Sequence, residues 1–255
     1  PLWEKNSDEG PTDPRPVCRT TLGLLCAARD ALTLPQLAEL CEASQLPPLF
    51  GRVAAPFLST DGVAPGGMPR YRIGHDAFRE LLLARVGAHE MRRLHRRLVQ
   101  TFAAWPPLPG ESAAGEPARR PSPSGASAFS DDIFRRSYAL RYGVQHRADA
   151  GDWAGVELLT ADVSFLVNKV REAGTRAVEN DFIQAAARCP DPVRRKEWRD
   201  MQRAVREEAH WLRRDPDSLP SLLVDIADRV RADSPTSPLA IRLLRAGVWL
   251  THETI

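Results

Sequence analysis

Between residues 106 and 128 the chain reads PPLPGESAAGEPARRPSPSGASA. So many Pro, Gly and Ser with almost no apolar bulk cannot bury enough surface to repay the entropy of ordering. No core can be continued through such a stretch, so the chain is expected to fold as two bodies joined by a flexible linker. A length of 255 residues suits two domains. The first 16 residues, PLWEKNSDEGPTDPRP, are polar and read as a lead-in. The expected division is therefore 1–16 lead-in, 17–105 first domain, 106–128 linker and 129–255 second domain.

In the first domain, Leu22, Leu25 and Cys26 stand at i, i+3 and i+4, and Leu34, Leu37, Ala38 and Cys41 repeat that spacing. Thr33 ahead of Leu34 and Pro35 is an N-cap followed by proline in the first turn. LPPLFGRVAAPFLST offers a third short helix that passes into an extended PFLST, and DGVAPGGMPR is a turn by composition. YRIGH then places Tyr71, Ile73 and His75 on one side of a strand. Asp76 is the expected N-cap of the helix carrying Phe78, Leu81 and Leu82, and Met91, Leu94, Leu98 and Phe102 continue on another helix after Gly87. Three helices, a hairpin and further helix make the order of a winged-helix domain.

After Phe129 the reading is helical. Phe134, Tyr138 and Tyr142 share a face, and AGDW ends one helix at Gly151 and caps the next with Asp152. Further helices carry Phe165, Leu166 and Val170; Phe182, Ile183 and Ala186; Trp198, Met201, Val205 and Leu212; and Leu219, Leu222, Leu223, Ile226 and Val230. The aromatics Tyr138, Tyr142, Trp153, Phe165, Trp198 and Trp211 are expected to pack each helix on its neighbour. The fold class is thus mainly α: a winged-helix domain with a small β-hairpin, then an antiparallel helical bundle or solenoid arm.

Several chemistries are excluded. A phosphate-cradling loop needs lysine after glycine, and none of Lys5, Lys169 and Lys196 follows one. HEMRR at 89–93 has Arg93 where a zinc protease needs its second histidine, and no G-x-S-x-G elbow occurs. No catalytic or metal-binding residue is assigned, and the chain is read as no enzyme. Cys18, Cys26, Cys41 and Cys189 lack metal-ligand spacing and read as buried free thiols, which favours a reducing, cytoplasmic setting. No run is apolar enough to span a membrane. The formal charge of +2 commits the surface to neither nucleic acid nor lipid. The basic cluster MRRLHRRL at 91–98 reads as a solvated face. Nucleic acid is an unlikely partner, because the helix of a winged-helix domain that would enter the groove has only Arg52 as a charged side chain.

The segments LGLLCAARDALTLPQLAEL, YRIGHDAFRELLLARV, YALRYGVQHRADAGDWAGVELLTADVSFLVNKV and EAHWLRRDPDSLPSLL, in this order, resemble the region after the nucleotide-binding module of bacterial STAND NTPases, relatives of NACHT and NB-ARC proteins. The resemblance covers about residues 17 to 230. It implies a regulatory segment in which a winged helix clamps the ADP-bound state and a helical arm relays a signal from a sensor domain. It implies as partners an upstream nucleotide-binding module and a downstream sensor of the same chain, with self-association on activation and a role in bacterial defence. The cofactor, ADP or ATP with Mg, belongs to the parent protein and not to this segment. His75 and Asp76 match two positions of the family's Met-His-Asp motif, whose histidine approaches the β-phosphate of ADP, and Gly74 stands in place of Met. The residues alone also read more plainly: Asp76 as a cap and His75 as an ordinary strand-end side chain. The rival functions are a helical protein-interaction scaffold and a winged-helix nucleic-acid binder.

Overall fold

A computed structural model describes residues 15–42, 46, 54–64, 67–103, 105, 125–215, 218–233, 237 and 239–244. The protein is mainly helical with one small three-stranded antiparallel sheet. Among the described residues no helix is long and apolar enough to cross a membrane.

These residues divide into two compact units. One holds Arg15 to Phe102 and the helical residues up to Phe134; the other holds Ala103, Trp105 and everything from Arg135 onward. The boundaries differ from those read in the sequence. Residues 106–124 of the expected linker lie outside the described residues, but 125–128 belong to a helix, Gly125–Ala150. Composition misled there because Ala and Ser are acceptable in a helix once the segment that follows supplies the packing. The lead-in expected to 16 ends sooner, with helix from Arg15.

In the first unit α1 (Arg15–Ala27) leads to β1 (Leu32–Thr33) and α2 (Leu34–Leu40). Thr33 caps α2 as expected: its hydroxyl accepts from Gln36 N at 3.4 Å, and the Gln36 side chain accepts from Thr33 N at 3.0 Å. Most of the expected third helix, 47–53, lies outside the described residues. Ala55–Phe57 forms a 3-10 turn into β2 (Leu58–Val63), which pairs with β3 (Pro69–Ile73). The sheet order is β1-β3-β2, so the expected hairpin gains a third strand. Two residues carry no period, and Leu32–Thr33 had no strand signature for that reason. Pairing of β2 with β3 is irregular between Thr60 and Val63.

Next come α3 (Asp76–Val86) and α4 (Ala88–Thr101). Leu24, Leu32, Leu37, Leu40, Leu94, Leu98 and Phe102 are buried and form this unit's interior. Gly23 lets α1 approach α4 closely, since a Cβ there would lie 2.7 Å from Leu94 Cδ1.

The second unit continues the long helix, α5 (Gly125–Ala150), from Arg135. It adds α6 (Trp153–Ala161), α7 (Val163–Ala173), α8 (Thr175–Arg188), α9 (Pro192–Glu207), the single turn α10 (Ala209–Leu212) and α11 (Leu219–Asp233). The turn between α5 and α6 is as read from AGDW: Gly151 has φ 75°, and Asp152 accepts from Gly155 N at 2.9 Å. Asp162 and Asp191 cap α7 and α9 in the same manner. One core runs through Leu140, Val144, Val156, Phe165, Phe182, Trp198, Met201, Leu223 and Ile226. Trp105 and Phe165 meet edge to face at 5.2 Å, and Trp198 donates to Thr160 Oγ1 at 3.4 Å.

Three expectations for this unit are corrected. The helix expected from Trp198 through Leu212 breaks after Glu207. Ile183 is exposed rather than inward. Trp211, expected to pack between helices, is 57% exposed, whereas Trp198 is 1% exposed. Helix phase accounts for the last: Leu212, two turns after the inward Val205, is buried, and its neighbour Trp211 faces out.

Candidate functional site

The two residues singled out, His75 and Asp76, sit where β3 gives way to α3. β3 ends at Ile73, so His75 is not part of the strand. Instead it occupies the N-cap position of α3 with extended backbone, φ −131° and ψ 121°, and its side chain makes no capping bond. Asp76, expected as the cap, is the first residue of the helix. The physical reason is the chain path: the His75 carbonyl already accepts the first helical bond, from Arg79 N at 3.0 Å, so the helix begins one residue earlier than Asp76 capping would allow.

Both side chains are exposed. In the first turn the Asp76 carboxylate interacts favourably with the helix dipole. It also opposes the approach of a second anion, so an incoming phosphate would rely on the His75 imidazole and the unpaired N–H groups of that turn. The junction is held from below. Gly74 N donates to Phe57 O at 2.9 Å, Phe57 stacks on Phe78 with centroids 4.1 Å apart, and Arg79 donates to Cys26 O at 3.0 Å.

Gly74 has its own reason. A Cβ there would lie 3.2 Å from Ser59 N and 3.3 Å from Ser59 Cβ, tighter than side chains ordinarily pack against backbone. β2 crosses so near that methionine would have to push it aside. Glycine at position 74 therefore matches the close approach of β2 to the junction.

Among the described residues no group of three or more His, Cys, Asp or Glu is placed to hold a metal. Of the thiols expected to be buried, Cys26 and Cys189 are, while Cys18 and Cys41 are half-buried. Burial raises Cys26 to about 11, with Arg79 opposing it. Such a thiol is a poor nucleophile.

The sequence reading missed the most unusual polar group, an ion pair of Lys169 on α7 with Asp181 on α8, at 0% and 1% exposure. Burial raises Asp181 to about 6, opposed by Lys169 and by hydrogen bonds from Lys169 and Gln145. Lys169 also donates to Arg141 O at 3.2 Å. The signal was present: Lys169 lies four residues after Phe165 and three after Leu166, on the apolar face of its helix. The arrangement joins three helices, and neither charged side chain is exposed at the surface. Tyr138 and His146 make a second buried polar contact, 2.9 Å between Oη and Nε2.

Comparison with family models returns no match, and comparison with curated proteins returns none either.

Proposed function

We propose that the chain is a non-catalytic regulatory segment of a STAND ATPase. Its first unit acts as a winged helix that clamps the ADP-bound state, and its helical unit acts as an arm that carries a signal from a sensor. The order helix, short strand, helix, two paired strands and helix supports the first assignment, as does a sheet with β3 at its centre. The observation that carries the reading is the exposure of His75 at a strand-to-helix junction, with no capping bond to occupy it. An imidazole in that position is available to donate to a phosphate oxygen presented by another module. ADP with Mg would be held by the upstream nucleotide-binding module, and the reading puts the protein in the cytoplasm.

The test uses the intact parent. His75→Ala is expected to weaken ADP retention about tenfold or more, the loss of a charge-assisted hydrogen bond worth about 1.5–3 kcal/mol. Nucleotide dissociation followed with a fluorescent ADP analogue measures it, and circular dichroism checks the fold. Unchanged ADP affinity in a normally folded variant sinks the clamp, and a parent without a nucleotide-binding module sinks the family assignment.

A further inference from the structure

α9 carries Arg195, Arg199, Arg203 and Arg206, spaced by four, four and three residues. At about 100° per residue these four fall within one quarter of the helix circumference, along about 17 Å of its length. That quarter lies away from the inward Trp198, Met201 and Val205. Asp200 and Glu207 fall outside it. Among the described residues none of the four arginines has an ion pair, although the other cations of the helix do: Arg194 with Glu157 and Asp191, Lys196 with Asp200. Like charges one turn apart repel, so the isolated chain gains nothing from this row.

At the end of the row the chain passes through Glu208 into α10, where Leu212 is buried and Trp211 is turned out. Its ring lies 5.1 Å from that of His210, which is also exposed, and Arg213 and Arg214 follow, both exposed. Arg213 donates to Ala209 O at 3.1 Å, which ties it to the turn that holds Trp211. An unpaired arginine row that ends in an outward tryptophan has a specific chemical use. Guanidinium groups take phosphate oxygens in pairs, and an exposed indole provides a face on which a base stacks.

We propose that this stretch of the helical unit, residues 195–214, binds single-stranded nucleic acid, the arginines of α9 following the phosphates and Trp211, next along the chain, stacking on a base. An acidic polypeptide would satisfy the arginines but would leave the tryptophan without a role. A duplex, with its bases stacked on one another, would do the same.

The experiment measures binding of the 255-residue chain to a fluorescein-labelled twelve-nucleotide oligothymidylate by anisotropy across a salt series. Four neutralised phosphates predict a slope of log K against log salt of about −3 for a single strand. Arg199→Glu with Arg203→Glu is expected to weaken binding more than tenfold and to reduce that slope by about half. Trp211→Ala, a change at an exposed position, is expected to weaken binding about tenfold with the slope unaltered. Arg92→Glu with Arg96→Glu, a matched reversal on α4, should leave both quantities as they were. Tighter binding of an oligouridylate of equal length would assign RNA as the ligand, and tighter binding of the oligothymidylate would assign DNA. The proposal is overturned by an absence of salt-dependent binding, by a Trp211→Ala variant that binds normally, by equal loss from the α4 reversal, or by polyglutamate displacing the strand at equal charge concentration.

Discussion

Arg72, Arg93 and Arg97 of the first unit pair with Asp61, Glu90 and Glu42 at its surface, while Lys169 and Asp181 of the second pair where neither side chain reaches water. Among the described residues, the first unit's buried polar side chains are Thr21, Thr33, Gln36 and His95. The second buries Glu157, Asn168, Lys169, Asp181 and Glu197 among others. A small unit built from short helices and a sheet closes its interior with leucine and caps its helix ends locally. The helical unit instead uses charged groups to fix which helices meet. A buried pair adds little net stability, but either partner left alone is costly. The two units should therefore respond very differently to the loss of one charge.

The largest effect is expected from Asp181→Leu, which strands the Lys169 ammonium in the core. It should cost about 3–5 kcal/mol in the second unit. Urea denaturation followed by tryptophan fluorescence reads it, since Trp105, Trp153, Trp198 and Trp211 all lie in that unit. Adding Lys169→Met should recover most of the loss. A double variant as unstable as the single one would mean that the cost lies in packing rather than in the stranded charge.

A smaller effect is expected from pH. The carboxyl of Asp181 holds its proton more tightly in the folded protein than in the unfolded chain, about 6 against 3.8. Between those values the folded state binds more protons, so stability is fully present below about pH 4 and is lost as pH rises through about 6. Burial raises Glu197 in the same direction, opposed by a hydrogen bond from Ser237. Thermal melts between pH 4 and 7 should fall on the order of 2 kcal/mol for the second unit. The slope should shrink in Asp181→Asn. A first unit that loses as much over the same range would erase the contrast between the two.

The smallest change is expected from Asp61→Ala. It breaks a pair with both side chains more than half exposed and should cost less than about 0.5 kcal/mol by chemical denaturation. If it costs as much as Asp181→Leu, burial is not what separates the units.

Much of this was legible in the sequence because it is written in short-range chemistry. Thr33, Gly151 and Asp152 act on neighbours within four residues, and helix periods such as Leu219 to Val230 repeat often enough to be read. What stayed hidden depends on distant parts of the chain. β1 exists only because β3 is there to pair with it, and the helical fate of 125–128 follows from residues after them. Gly74 is explained by β2, which lies fifteen residues before it along the chain at Ser59. The pairing of Lys169 with Asp181 needed two helices placed side by side, although the lysine's place on an apolar face was visible. Trp211 was misread because its aromatic side chain was given more weight than its phase, which sets it off the face shared by Val205 and Leu212. His75 and Asp76 were correctly placed at the junction, but which one is the cap depends on the carbonyl that closes the first turn.

β2 is an outer strand of the sheet, and such strands invite uncontrolled growth: their free N–H and C=O groups can recruit another chain. The irregularity between Thr60 and Val63 spoils that template after three residues. Straightening it, by deleting one residue of Asp61–Gly62, would give a longer and flatter outer strand, and with it a chain more prone to assemble into fibres at high concentration.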